Sequence, residues 1–201
     1  MIDDKLMLRG AKIIIGEWME LAPGDKLLIV SNPEYSREIS LMKEIAEAQM
    51  IEVDVLIAET GGPQVGECFD EHTEVFDPYD AIIGATEYSL VTTEATKSAI
   101  SQRKKFLSLP LSTNDGRSLL AYDFLLEDVH KSKCKAYLIS QQIKGASVIR
   151  VVTEAGTDLK MSMLGRKPGF FNGKVSDGAG YASSSFEVYI PIAPIFMLII
   201  F

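Results

Sequence analysis

Four short apolar runs recur at nearly constant spacing in the first half of this 201-residue chain. They begin near residues 26, 51, 80 and 105, which are 25, 29 and 25 residues apart. Runs such as Lys26–Ser31 (KLLIVS) and Asp80–Thr86 (DAIIGAT) are typical of strands that are covered on both faces. Stretches with helical spacing separate them, and Asn32 and Thr92 or Thr93 are the expected helix N-caps. This alternation predicts an α/β fold of Rossmann-like type, with a mostly parallel sheet and flanking helices.

From Val148 onward the pattern changes to that of antiparallel strands. Val148–Thr153 is rich in β-branched residues, and Leu159–Met163 alternates between the two faces of a strand. Gly156 lies between them in a turn-like sequence and is free to take a positive φ. These features predict a β-hairpin. We therefore expect an α/β domain over residues 1–145 and a partial β-rich domain over residues 146–201.

A second alternating run near the end of the sequence carries one carboxylate. Because successive strand residues point to opposite faces, Glu187 and Tyr189 share one face of this run. The opposite face is apolar and consists of Phe186, Val188, Ile190 and Ile192. A glutamate in such a position is usually just solvated, but its display on a half-buried strand makes it a candidate functional residue. The apolar run Phe186–Phe201 is also expected to leave a strand edge unpaired, which predicts a homodimer or a higher homo-oligomer.

Composition excludes several classes of partner. The net charge of −8 argues against nucleic acid, because neutralising phosphates requires a basic face. Two cysteines and an acidic start, MIDDKLMLRG, without the basic region of a secretory signal, predict a cytoplasmic location. No apolar run reaches the roughly 18 residues of a membrane-spanning helix, so no membrane association is expected. The final run, IAPIFMLIIF, is shorter and contains Pro194, and we expect the fold to continue beyond it.

The usual sequence motifs of phosphate binding and nucleophilic catalysis are absent. The sequence contains no G-x-G-x-x-G, no G-x-x-x-x-G-K-[ST] and no G-x-S-x-G. The loop Thr60–Pro63 follows a predicted strand and could contact a ligand, although a surface turn is the simpler interpretation. An acidic stretch is expected to be a solvated face. It could instead hold a hard cation, although it does not have the residue spacing of a calcium-binding loop. Its acidic residues are Glu67, Asp70, Glu71, Glu74 and Asp77.

Two Cys/His pairs have a spacing that places both side chains on one face of a helix. They are Cys68 with His72, and His130 with Cys134. Four such ligands could form a tetrahedral zinc site, but C-x₃-H is not a usual finger or ribbon pattern. We therefore predict that the four residues do not share a metal.

Three segments, in this order, resemble the M29 metallo-aminopeptidases, the aminopeptidase T group. Gly84–Ala95 (GATEYSLVTTEA) is similar to the family's strand and helix start, S-L-T-H-T-E-A. Val148–Arg166 (VIRVVTEAGTDLKMSMLGR) is similar to its V-T-x-x-x-G-T-D-L-x-x-x-x-x-G-R stretch. Phe186–Pro194 (FEVYIPIAP) is similar to its G-E-V-[FY]-x-A-P strand. The order and spacing of the three segments make the resemblance more specific than any one of them alone, and it covers most of the chain from about Lys26 onward.

The resemblance implies a metal site and gives Glu187 a role in it. In that family the glutamate of the G-E-V strand binds the first of two adjacent divalent metals, which are zinc, cobalt or magnesium. Glu187 matches this glutamate, and the family's other ligands belong to a C-terminal domain with no match in this sequence. Thr92 stands where the family's first motif has its histidine, and Phe186 replaces the glycine that precedes the glutamate.

The resemblance therefore implies a dinuclear-metal aminopeptidase that acts on peptides. We expect this chain to be an N-terminal portion or a degenerate member of the family, to bind metal weakly and to be inactive, and no catalytic residue is assigned. Two alternatives stay open at this point. One is a non-catalytic α/β module that binds a small ligand at the carboxyl ends of its strands. The other is the ferrous dihydroxypyridine dioxygenase branch of the same superfamily.

Overall fold

The computed structural model describes residues 2–58, 66–111, 113, 116–172, 174–175, 181–183, 186–192 and 195–200. It consists of two compact units that are interleaved along the chain. The first unit comprises Met1–Glu127 and Gly173–Ser184, and the second comprises Asp128–Asn172 and Ser185–Phe201. The domain division at residue 145 stays a prediction.

The first unit is built on a parallel sheet, which confirms the α/β fold class. Its strands are β1 (Lys26–Ser31), β2 (Glu52–Ile57), β3 (Ala81–Ala85), β4 (Lys105–Ser108) and β8 (Tyr181–Ser183). Their order across the sheet is β2-β1-β3-β4-β8, and every neighbouring pair is parallel. The four strands expected from the apolar runs thus lie within one or two residues of their predicted positions.

Strand β8 was not expected in this sheet. We predicted an antiparallel arrangement for the chain after about residue 147, yet Tyr181 pairs with Phe106 and Ser183 with Ser108 in parallel register. The remaining strands after this point are antiparallel, as expected. A short three-residue strand is fixed by its partner strand rather than by its own sequence pattern, so local periodicity does not reveal it.

Helices and helical turns cover both faces of this sheet. The helices are α1 (Ile2–Ile13), α2 (Ser36–Ala48), α3 (Glu67–Glu71) and α4 (Glu94–Ser101). A π-helical turn (Ile14–Trp18) continues α1, and 3₁₀ turns span Pro33–Tyr35, Leu119–Ala121 and Asp123–Leu126. Helix α1 contacts α2 and the Leu119–Ala121 turn, whereas α3 contacts α4.

The core of the first unit lies on both sides of the sheet, because alternate residues of each strand point to opposite faces. On one face Leu28 of β1 and Ile82 of β3 belong to a buried cluster with three aromatic rings. The rings of Phe69 and Phe76 are stacked with centroids 5.6 Å apart, and those of Phe76 and Phe106 are 6.1 Å apart. The intervening strand residues are buried on the other face, among them Leu27, Ile29, Ile83 and Leu107. Burial on both faces explains why these strands are continuous apolar runs.

The second unit contains helix α5 (Val129–Ile143) and antiparallel strands. Strands β5 (Val148–Val152) and β6 (Asp158–Ser162) form the predicted hairpin, and Gly156 in its turn has φ +98°. A three-stranded sheet has the order β10-β9-β7, with β7 at Gly169–Asn172, β9 at Phe186–Ile192 and β10 at Ile195–Ile200.

The terminal apolar run, which we expected to be one strand with an unpaired edge, contains two strands. Strand β9 is the central strand of its sheet and pairs with β10 on one side and β7 on the other. Strand β10 lies at one edge of this sheet and pairs antiparallel with β9.

No helix in the described ranges is long and apolar enough to cross a membrane.

Candidate functional site

The carboxyl edge of the parallel sheet contains a topological switch point. In the strand order, β2 lies next to β1 on the side away from β3, and β4 lies next to β3 on the side away from β1. The connections that follow β1 and β3 therefore run toward opposite edges of the sheet. In open α/β sheets, ligands bind in the crevice that such a divergence creates.

A single side chain, that of Asn32, links the ends of three strands at this point. Its Nδ2 donates a hydrogen bond to the carbonyl of Ala58, just after β2, at 3.0 Å. Its Oδ1 accepts one from the backbone N–H of Glu87, just after β3, at 2.8 Å. Asn32 itself follows β1 and is only 2% exposed. The amide therefore holds the three loops at fixed separations.

This role differs from the one that the sequence suggested for Asn32. The residue does precede the Pro33–Tyr35 turn in an extended conformation, as an N-cap would, but its side chain makes no capping hydrogen bond. The Asn-Pro sequence is typical of a cap, and nothing local reveals that its amide is used by β2 and β3 instead.

Other buried hydroxyl groups line the same edge. The Oγ of Ser31 donates to the carbonyl of Ala85 at 3.0 Å, and the Oγ1 of Thr86 donates to the carbonyl of Tyr88 at 2.5 Å. Ser31 and Thr86 have no exposed surface. Such satisfied polar groups rigidify a site, because breaking any one bond would leave a buried group unpaired.

Above this buried layer, three consecutive side chains after β3 are exposed. They belong to Glu87, Tyr88 and Ser89, and Tyr88 is 42% exposed. The Oγ of Ser89 lies 2.9 Å from the Oγ of Ser108, so the loop is also fixed to the end of β4. A carboxylate, a phenol and a hydroxyl on a rigid base can hydrogen-bond a small polar ligand. The loop Thr60–Pro63, which follows β2, lies outside the described residues.

The start of helix α4 is closed by its own hydroxyl groups. Thr93 is the N-cap, as predicted, and its Oγ1 accepts from the N–H of Thr96 at 3.3 Å. The Oδ1 of Asp70 accepts from the N–H of Glu94 at 2.8 Å. Thr92, which stands at the family's histidine position, is exposed. Two backbone N–H groups at this helix start, those of Glu94 and Thr96, therefore already have hydrogen-bond acceptors.

Glu187 lies on the central strand of the second unit's three-stranded sheet. In the backbone register it is opposite Ile200 on β10 and opposite Phe171 on β7. Tyr189 is opposite Leu198 and Gly169. No carboxylate or imidazole residue occupies these four partner positions, so the adjacent strands place no second ligand directly beside Glu187.

The remaining candidate ligands are surface residues. Cys68 and Cys134 are free and exposed, and His130 is exposed on α5 with Cys134. His72 has left the helix, since it is the C-cap of α3, and its Nδ1 lies 3.9 Å from the carboxylate of Glu74. The absence of a shared metal stays a prediction.

The acidic stretch is also exposed, and its carboxylates make local contacts. The Oδ1 of Asp77 accepts a hydrogen bond from the side chain of Gln102 at 2.9 Å. Across the described part of the chain, no three His, Cys, Asp or Glu residues are grouped so that they could hold a metal ion.

Comparison with known proteins assigns no family, because no family model and no curated protein matches the chain.

Proposed function

We propose that this chain is related to the M29 metallo-aminopeptidases and that Glu187 is its contribution to a metal site. The observation that carries the proposal is the fit between the three similar segments and the elements they occupy. Gly84–Ala95 runs from the end of β3 into the start of α4, as the family's strand and helix start would. Val148–Arg166 contains the β5–β6 hairpin, and Phe186–Pro194 contains strand β9.

The described residues do not complete a metal site. Stable sites for divalent cations use several anionic or imidazole ligands in fixed geometry, whereas one residue of this chain matches a family ligand. In proteins of that family, a bound metal acts as a Lewis acid and activates a water molecule at neutral pH. We therefore expect the 201-residue chain to bind divalent metal weakly and to release no amino acid from dipeptides.

Calorimetric titration of the chain with cobalt or zinc tests this proposal. We expect weak binding that Glu187→Gln abolishes and that Glu154→Gln leaves unchanged. Glu154 is the matched control because it is an exposed carboxylate of the same unit, at the turn of the β5–β6 hairpin. Identical titrations for the wild type and both variants would refute a role for Glu187. Rapid dipeptide hydrolysis by the 201-residue chain would instead require ligands elsewhere, and Glu67, Asp70 and His72 would be the first to substitute.

A second candidate function is favoured by the switch point in the first unit. In this second candidate, the chain is a non-catalytic module that binds a small polar ligand through Glu87, Tyr88 and Ser89. The buried amide of Asn32 supports it, because a side chain that fixes three loop ends gives the exposed groups a preorganised base.

Binding assays with two probes separate the candidates. Leucylglycine and a dihydroxypyridine are titrated against the wild type, Tyr88→Phe and Tyr137→Phe, with the heat of binding as the readout. Binding of either probe that is weakened by Tyr88→Phe alone supports the module, since Tyr137 is an exposed tyrosine of the other unit. Metal-independent binding that neither variant changes would exclude the site after β3.

The dioxygenase branch is distinguished by its chemistry. It predicts ring opening of the dihydroxypyridine with ferrous iron and oxygen, whereas the aminopeptidase branch predicts hydrolysis of the dipeptide. The same two probes therefore separate the branches in any form of the protein that binds metal tightly.

A further inference from the structure

Charge is divided unequally between the two compact units. The second unit contains eight basic residues, namely Lys131, Lys133, Lys135, Lys144, Arg150, Lys160, Arg166 and Lys167. It contains four acidic residues, Asp128, Glu154, Asp158 and Glu187, so its formal charge is +4. Since the whole chain carries −8, the first unit carries −12. An acidic protein thus has one basic part.

Helix α5 concentrates this basic charge on its exposed surface. Lys131, Lys133 and Lys135 are all exposed, and Lys144 is exposed directly after the helix. The helix contains no acidic residue. Among the helix residues with described side chains, only Ala136 is buried. Most of the helix therefore faces solvent.

Apolar side chains occupy the middle of this exposed face. Tyr137 is 60% exposed and Leu138 is 62% exposed. At 3.6 residues per turn they lie on either side of the line through Cys134 and Gln141, on the side of the helix away from Ala136. An apolar centre that includes an aromatic ring, surrounded by charged residues, is the composition of a protein interface. The face is therefore built to bind a partner with complementary, acidic chemistry.

The chain itself supplies such a partner surface in its first unit. The acidic stretch on α3 and the following turns presents five exposed carboxylates, those of Glu67, Asp70, Glu71, Glu74 and Asp77. The stretch is anchored by Phe69 and Phe76, which are buried and stacked on each other. The carboxylates therefore project from a fixed base. A second copy of the chain would present these negative charges to the lysines of α5.

We propose that the basic face of α5 docks on the acidic stretch Glu67–Asp77 of a second copy of this chain. Each copy carries both surfaces, so copies of this one chain supply both sides of the contact. The opposed charges attract each other at low ionic strength and are screened by salt, so the contact is expected to be weak and salt-sensitive. Tyr137 and Leu138 lie in the middle of the basic face. The charges fix which surfaces meet and how fast they meet. This interface does not depend on the proposed metal site.

Charge reversal tests the proposal in the full chain. Sedimentation velocity of the wild type should show a dimer at low salt that dissociates as sodium chloride is added. The double variant Lys131→Glu/Lys135→Glu should weaken dimerisation by about tenfold or more, as should Glu71→Lys/Glu74→Lys. Lys131→Glu places an acid in the first turn of α5, where it favours the helix dipole, so the helix itself is not expected to unfold.

A mixture of the two double variants gives the decisive result. Each alone is expected to dimerise more weakly than the wild type. Together they should form a mixed dimer more readily, since the reversed charges of one face then meet the reversed charges of the other. Lys160→Glu is the matched control, because Lys160 is exposed in the same unit but lies on β6. A monomeric wild type, a salt-independent dimer, or variants that fail to pair when mixed would each overturn the proposal. Binding of polyglutamate by a monomeric wild type would assign the face to another acidic partner and would overturn it equally.

Discussion

At the scale of single residues, the buried amide of Asn32 is the group on which the candidate ligand site depends. It satisfies the Glu87 N–H and the Ala58 carbonyl at once, and it spans the ends of three strands. Both protein partners lie in loops rather than in the sheet ladder. The exposed groups after β3 therefore keep their positions because of a side chain that no ligand would contact.

Replacing Asn32 with alanine should lower the stability of the first unit. The substitution leaves a donor and an acceptor at the sheet edge without this partner, and we expect a loss of about 1–3 kcal/mol in the free energy of unfolding. Ser40→Ala is the control, since the Oγ of Ser40 donates to the Ser36 carbonyl on an exposed helix surface. Urea unfolding measures both. Equal stability of the two variants would show that the amide link contributes nothing.

Gly10 gives a second prediction at this scale, because a side chain there would collide with the Leu119–Ala121 turn. An added Cβ would lie 2.1 Å from the Leu120 carbonyl oxygen and 2.8 Å from the Leu125 side chain. We expect Gly10→Ala to cost about 1–3 kcal/mol or more, as overpacking does. Gly16→Ala should be neutral or stabilise by up to about 1 kcal/mol, since its Cβ would come no closer than 3.9 Å to Gln49. Thermal unfolding that ranks the two variants the other way would contradict this packing.

At the scale of whole elements, the sequence predicted those elements whose local pattern reflects their surroundings. The strands β1 to β4 are recognisable because burial on both faces requires continuous apolar runs, and the β5–β6 hairpin because its turn needs Gly156. Strand β8 and the Asn32 link were missed, because both depend on partners far away in the chain. The pairing of β8 with β4 and the bonds from Asn32 to the β2 and β3 loops leave no local periodicity to read.

Helix α5 gives a pH-dependent prediction at the element scale. The backbone N–H groups of Lys131 and His130 donate to the Asp128 carboxylate and hold its pKa below the ordinary value of 3.8. A depressed folded-state pKa stabilises the protein above the unfolded value, and this stabilisation is lost as the pH falls through the folded value. Asp128→Ala should therefore lower the Tm at pH 7, and its deficit should shrink below about pH 3.8.

The amide variant serves as the control for this cap. Asp128→Asn keeps a side-chain acceptor for the N-terminal N–H groups, so it should retain most of the Tm at pH 7. Circular dichroism melts across the acidic range measure all three proteins. A deficit of Asp128→Ala that is the same at pH 7 and at pH 3 would show that the charge of Asp128 plays no part.

At the scale of the whole molecule, the two units differ in both charge and surface. The first unit has a core on both faces of its sheet and a net charge of −12, whereas the second carries +4 and exposes apolar side chains on α5 and on the β5–β6 hairpin. The hairpin side chains include Val148, Val152 and Leu159. Both proposals therefore involve the second unit, one with a divalent metal at β9 and the other with a second copy of the chain at α5.

The proposed role of Glu187 is tested most directly by locating where a weakly bound metal resides. Paramagnetic manganese, added in small amounts to the labelled 201-residue chain, broadens the amide signals of residues close to it even when binding is weak. We predict that the signals of Glu187 and of its register partners Phe171 and Ile200 broaden first, and that Glu187→Gln removes the effect. Broadening confined to Glu67–Asp77, unchanged in Glu187→Gln, would contradict the assignment of the metal ligand to β9.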